Sequence, residues 1–194
     1  ADTLNARTFA LAQQTDGELM MNICSTCQGA QSECQERLDA NAEYREQVNG
    51  NLAEQGIKYE KGLTNKNFLW LLVEDIGLDH LRSLVKRPLT DLRVGPFYGC
   101  YIVRPVNRLG IDDEHPRDRY LHHLIEALGG TVVDYAGVYK CCGFPIITMN
   151  KEASLTQAGR NLGDALDADA DCLVVPCPLC HLNLDLQQPA AATV

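Results

Sequence analysis

The sequence predicts an α/β fold of two pseudo-repeated lobes, the second complete, joined by a helical segment. Three observations carry this. Superimposing Cys24-x-x-Cys27 on Cys177-x-x-Cys180 also brings Arg7 onto Arg160, Ala12 onto Ala165 and Asp16 onto Asp169. Each copy then reads as a helix, a short apolar segment and a cysteine pair. Five of the nine cysteines also fall into one arrangement, C-x40-C-C-G-x33-C-x2-C, running from Cys100 through Cys141-Cys142-Gly143 to Cys177 and Cys180. Searching for repeats first matters because it changes the meaning of the N-terminus. On this reading residues 1–50 are the C-terminal part of a first repeat, 51–91 a helical connector, and 92–194 a complete second repeat.

The elements follow from the residues in order. In the first copy Thr3–Gln14 is a helix and Leu19–Ile23 a short strand that delivers Cys24 and Cys27. Gln31–Leu52, rich in Glu, Gln, Arg and Ala, reads as one helix that packs through a narrow stripe, with Gly50 and Gly56 near its end. Asn67–Ile76 is a strongly apolar helix ended by Gly77, and Leu78–Val85 a short successor stopped by Pro88. Leu92–Tyr98 is a strand leading to Gly99-Cys100, and Tyr101–Pro116 a loop. A helix over Arg117–Leu128, capped by Gly129-Gly130, precedes a strand at Thr131–Tyr135. A loop then carries Cys141-Cys142-Gly143, followed by a helix at Lys151–Leu166, a strand at Cys172–Val175 and the Cys177–Cys180 turn. Sites in such folds lie beyond the carboxyl ends of strands, which brings distant cysteines to one place.

A formal charge of −9 excludes the basic footprint that nucleic-acid binding needs. The longest apolar run, Phe68–Val73, spans six residues, too few to cross a bilayer. Its apolar helix around Trp70 reads as core rather than as a membrane contact. Nine cysteines without secretory features point to metal or redox chemistry in a reducing, cytoplasmic setting, with membrane association only through partners. The chain begins inside a helix, without the Cys-Cys pair that should precede the first C-x-x-C. It reads as a piece of a longer two-repeat protein.

Adjacent cysteines point in diverging directions and rarely share one tetrahedral ion, but they can serve different atoms of a multinuclear cluster. The candidate ligands are therefore Cys100, Cys141, Cys142, Cys177 and Cys180, with neighbouring glycines that let backbone N–H groups approach sulfur. Four-thiolate zinc is the rival, and it leaves the fifth cysteine unexplained. Cys24 and Cys27 read as an incomplete second site, which Cys34 could extend toward zinc. Cys172 reads as packing within an apolar strand. The histidines form no constellation: His122 and His123 diverge on a helix, and His181 reads as an exposed position. Gly159 and Gly163 read as close-packing positions within a helix.

Tyr98-Gly99-Cys100, Lys140-Cys141-Cys142-Gly143-Phe144-Pro145 and Pro176-Cys177-Pro178-Leu179-Cys180 resemble the cysteine-rich CCG domain. That domain defines the B subunit of heterodisulfide reductase and recurs in a related subunit of succinate:quinone oxidoreductases and in glycolate and lactate oxidation proteins. The resemblance implies a non-cubane [4Fe–4S] cluster on Cys100, Cys141, Cys142, Cys177 and Cys180, with Cys24 and Cys27 as the last two ligands of a first cluster. It also implies an electron-transfer subunit that works beside flavin and iron–sulfur partners on a disulfide or quinone. The alternative is a zinc-stabilised anchoring module without redox activity. The sequence departs from the family in lacking the first repeat's single Cys and Cys-Cys pair.

Overall fold

Short helices and two small parallel sheets build the chain in the computed structural model, which describes residues 1–15 and 17–193. The Asp16–Asp169 correspondence therefore lies outside the described residues.

The first lobe starts with α1 (Asp2–Gln13), which buries Ala6, Phe9 and Ala10, the i, i+3, i+4 face of one helix. β1 (Leu19–Asn22) follows, then α2 (Ser25–Ala40) and α3 (Ala42–Gly50). The single helix expected over residues 31–52 is thus two. Asn41 breaks it: its backbone is extended, and its side chain accepts the Tyr44 N–H at 2.9 Å. Asn competes with its own backbone for such bonds, so it favours a cap over a helix interior. Phe9, Cys34, Leu38, Val48, Leu52 and Tyr59 form this lobe's core. Arg37 ties α1 to α2 through two bonds of 2.8 Å to the Asp2 carboxylate, which also accepts from the Tyr44 hydroxyl at 3.0 Å.

The connector holds a strand that hydropathy does not reveal. β2 (Thr64–Asn67) is polar throughout, yet pairs in parallel with β1, Leu19 opposite Thr64. Main-chain pairing costs no apolar residue when the neighbouring strand supplies the partner, so no alternation marks it. Asn67 also caps the next helix, accepting the Leu69 N–H at 3.0 Å. The apolar helix expected over 67–76 accordingly runs as α4 (Phe68–Leu71) and a π-helical turn over Leu72–Ile76. Leu69 and Trp70 are buried with Tyr98, Ile102, Leu109, Tyr120 and Leu121, so this stripe serves the core as expected. Among the described residues no helix is long and apolar enough to cross a membrane.

Glu74, on the π-helical turn, ties the connector to the second lobe and to its own strand β2. It accepts from Arg117 at 2.7 and 3.1 Å, from Lys66 of β2 at 2.8 Å and from the Tyr120 hydroxyl at 3.1 Å. The Arg117 guanidinium also lies 4.2 Å from the centre of the Trp70 ring. α5 (Leu78–Leu84) then leads to the second lobe.

There β3 (Arg93–Pro96) is the central strand of a parallel sheet in the order β4-β3-β5. β4 (Thr131–Val132) pairs on one side and β5 (Cys172–Val174) on the other. α6 (Tyr120–Ala127) and α7 (Lys151–Asp167) make the two crossovers. β4 is shorter than the expected Thr131–Tyr135, because the chain leaves the sheet after Val132. Tyr135 then packs beside the central strand, where a Cβ on Gly95 would meet its ring at 3.0 Å. α6 starts three residues later than expected, since residues 117–119 belong to the turn that aims Arg117 at Glu74.

Two smaller expectations are corrected. Cys172 is exposed rather than packed, because it opens an edge strand whose outer side carries no partner among the described residues. Gly159 does sit at a close approach, a Cβ there lying 3.0 Å from the Ala191 carbonyl oxygen, but Gly163 faces open space. α8 (Pro178–His181), a second π-helical turn at Leu182–Leu186 and α9 (Gln188–Ala191) close the chain.

Candidate functional site

All three strands of the second sheet run in the same direction, so the segments that follow them emerge at one edge. β3 leads through Phe97 and Tyr98 to Gly99-Cys100, β4 to the loop with Cys141 and Cys142, and β5 to Cys177 at the start of α8. Their cysteines gather there: Cys100, Cys142, Cys177 and Cys180 line one small cavity, with Cys141 next to Cys142 in the chain. Cys142, Cys177 and Cys180 are buried, and Cys100 and Cys141 half-buried.

The glycines beside these cysteines have a physical role. Gly99 has φ +72, and a Cβ there would stand 3.1 Å from the Cys180 sulfur. Only a residue without a side chain leaves that flank of the sulfur clear. Gly143, with φ +88, donates its N–H to the Cys141 sulfur at 3.4 Å. A Cβ there would come within 2.7 Å of the Ser154 carbonyl oxygen.

The charge preferences of the thiols alternate. Hydrogen bonds from the Cys100 and then the Cys142 thiols hold Cys141 far below an ordinary cysteine, and the Gly143 N–H adds to this against the cost of burial. Cys177 is lowered chiefly by the Cys180 thiol, with help from N–H groups and from Thr26. The donors are correspondingly raised: Cys100 by its bond to Cys141, Cys180 by its bonds to Cys142 and Cys177. A group of thiols in which two sulfurs already favour the thiolate is chemically suited to soft metal.

Three buried side chains that carry no motif hold the Cys-Cys-Gly turn. Asn161 donates to the Cys141 carbonyl at 2.9 Å, Asn183 to the Cys142 carbonyl at 2.6 Å, and the Ser154 hydroxyl to the Gly143 carbonyl at 2.9 Å. Ser154 and Asn161 lie two turns apart on the same buried face of α7, so their polar position inside an otherwise apolar stripe was the available signal. Sequence reading passed over all three.

A second network backs Tyr98. The buried His122 ring contacts the Tyr98 hydroxyl through Nδ1 at 2.9 Å and the Asp134 carboxylate through Nε2 at 2.8 Å. Burial, countered in part by Asp134, lowers the His122 pKa, so the ring is neutral. The carboxylate then requires a proton on Nε2, and Nδ1 accepts from the tyrosine. The hydroxyl in turn accepts the Leu121 N–H at 2.9 Å. Tyr98→Phe strands both of these partners and is expected to lower unfolding free energy by about 1–2 kcal/mol in a urea titration. An unchanged midpoint and slope would show that the network contributes nothing to stability. As expected, His122 and His123 do not share a partner, and His181 is exposed, 3.5 Å from Asp185.

The remaining cysteines separate. Cys34 is buried in the first lobe's core, its thiol 3.6 Å from the Asp2 carbonyl. Cys27 is exposed. Cys24 turns away from its own lobe into the second core cluster, where its sulfur lies 3.8 Å from that of Cys177. The four-thiolate zinc expectation gains no support from this arrangement. Among the described residues no three His, Cys, Asp or Glu converge to hold a single ion. A multinuclear group, which meets its ligands at several atoms, suits cysteines delivered by three separate segments.

The model of the cysteine-rich CCG family matches residues 94–185, the span that carries all five candidate ligand cysteines. The chain carries a CCG domain. Relatives extend beyond it. The chain is 32% identical over 190 residues to the 8-methylmenaquinol:fumarate reductase membrane anchor subunit of Wolinella succinogenes, a match covering 98% of this chain and 65% of that protein. It is 28% identical over 189 residues to the B subunit of the ferredoxin/F420H2-dependent CoB-CoM heterodisulfide reductase of Methanosarcina acetivorans, covering 96% of this chain and 62% of the relative. The chain thus spans a little under two thirds of the length of these relatives. A crystal structure of a hypothetical protein from Helicobacter pylori superimposes on all of this chain and 34% of its own, with TM-score 0.74 and 15% identity. That likeness is one of fold.

Proposed function

We propose that this chain is part of an electron-transfer subunit of an oxidoreductase complex, and that its CCG domain holds a non-cubane [4Fe–4S] cluster on Cys100, Cys141, Cys142, Cys177 and Cys180. The observation that carries this reading is the gathering of Cys100, Cys142, Cys177 and Cys180 around one small cavity at one sheet edge, with Cys141 beside Cys142. Gly99 leaves room beside Cys180, and Gly143 gives Cys141 a backbone donor. The bound cluster would supply one-electron storage; the chain's own residues provide sulfur ligands, hydrogen bonds to sulfur and a largely dry surround.

The relatives named as heterodisulfide reductase and fumarate reductase subunits support a place in a multi-subunit oxidoreductase complex; in this reading its partners are flavin and iron–sulfur proteins and its redox partner a disulfide or a quinone. A pseudo-repeat is part of the same proposal. α1, β1 and the Cys24 turn follow the same order as α7, β5 and the Cys177 turn, and both cysteines cap a helix. Residues 1–50 would then close a first repeat, 51–91 connect, and 92–194 form the second, with Cys24 and Cys27 available to a first cluster.

The test is anaerobic purification of the full-length protein, reconstitution with iron and sulfide, and metal analysis with absorbance and EPR. About four irons at this centre, with acid-labile sulfide, are expected. A colourless protein holding about one zinc, unchanged by reconstitution, overturns the proposal.

A further inference from the structure

The second thiol centre is not enclosed by its own lobe. The start of α2, from the first lobe, docks on the Cys177 turn. Ser25 donates both its N–H, at 3.2 Å, and its hydroxyl, at 2.8 Å, to the Pro176 carbonyl. Thr26 follows with its hydroxyl 3.6 Å from the Cys177 sulfur. Cys24, buried beside them, brings its own sulfur to 3.8 Å.

Against a metal-bound sulfur the direction of these contacts is decided, because a thiolate has no proton to give. The Thr26 hydroxyl must donate. Donors aimed at a ligand sulfur stabilise the added negative charge of the reduced state and raise the reduction potential. The exchange runs one way. At the matching positions of the second turn stand Pro178, which has no N–H, and Leu179, which has no hydroxyl. Across the two lobes the Cys24 sulfur meets the Cys177 sulfur, at 3.8 Å.

We propose that Thr26 of the first lobe is a positioning and tuning residue of the second lobe's thiol centre, setting its electron affinity by donating a hydrogen bond to the Cys177 sulfur. This rests on the cluster-binding reading above. It also makes the centre a product of both lobes, so residues 92–194 hold the ligands but not the complete set of donors.

The experiment compares the full-length wild type with Thr26→Val and Thr26→Ser, all reconstituted anaerobically. Iron content and unfolding midpoint are measured first, then the midpoint potential by redox titration followed by EPR. Val keeps the shape and the backbone N–H but loses the hydroxyl; Ser restores it. Thr26→Val is expected to keep its iron while its reduction equilibrium moves toward the oxidised form by about tenfold, or about 59 mV for one electron. Thr26→Ser is expected to titrate with the wild type. A loaded Thr26→Val with the wild-type potential overturns the inference, as does a Thr26→Val that loses its iron, which would make Thr26 an assembly residue. A wild type that takes up no iron overturns the cluster reading itself, and the tuning role with it.

Discussion

Cys142→Ser in the full-length protein is expected to lose at least about tenfold of the iron bound at the CCG domain after anaerobic reconstitution, together with the EPR signal of that centre. Cys142 lines the same small cavity as Cys100, Cys177 and Cys180 and is only 3% exposed. Its removal takes away one of the five proposed ligands. A hydroxyl is a hard donor that replaces thiolate poorly on iron. Fold stability should change far less, because Ser is nearly isosteric and Asn183 still holds the residue-142 carbonyl. Unfolding of the metal-free protein is expected to shift by about 1–2 kcal/mol at most, the cost of burying one more hydroxyl. Cys172→Ser is the matched control: that thiol is exposed on the edge strand and should leave iron and potential unchanged. Full iron in Cys142→Ser, or equal loss in both variants, would contradict the proposed ligand set.

The largest effect on stability is expected at Glu74. Its side chain is 11% exposed and its two cationic partners, Lys66 and Arg117, are 15% and 16% exposed. Glu74→Gln leaves Arg117 without its carboxylate and Lys66 with Asp75 alone. Breaking a buried ion pair from one side costs about 3–5 kcal/mol, and partial solvent access here argues for the lower end, about 3 kcal/mol. The pH dependence carries a separate signature. Burial raises the Glu74 pKa, but the bonds from Arg117 and Lys66 outweigh it and bring the folded-state value down to about 2. A depressed carboxyl contributes its stability in full above the unfolded value of about 4.5, and that contribution disappears as pH falls toward 2. The stability difference between wild type and Glu74→Gln should therefore be constant near neutrality and shrink steadily below pH 4.5, read by denaturant unfolding at each pH. A difference that stays flat down to pH 2 would show that the ion pairs do not set the shift.

The cysteine spacing and the Tyr-Gly-Cys, Cys-Cys-Gly and Cys-Pro-Leu-Cys motifs were readable without a structure, because glycine beside a sulfur ligand has few uses other than a close approach. Long periodic helices were equally readable: α7 ends within one residue of its expected boundary. What failed was every element whose cause lies elsewhere in the chain. β2 has no apolar alternation, since β1 supplies its pairing. Asn41 splits a run of good helix formers because its side chain caps the next helix. Cys172 is exposed because its strand lies at a sheet edge, which no local pattern announces.

The sequence by itself determined the α/β class, the membership of residues 94–185 in the CCG family, and the candidate sulfurs, since motif chemistry and hydrophobic period are local properties. Only the tertiary structure decided which groups surround those sulfurs. Asn161, Asn183 and Ser154 grip the Cys-Cys-Gly turn, His122 backs Tyr98, and Thr26 reaches Cys177 from 151 residues away. The physical reason is that a hydrogen bond reports distance in space and leaves no spacing rule in the chain. Cys24, read from the sequence as stranded, lies against Cys177 because two helix starts dock on one another.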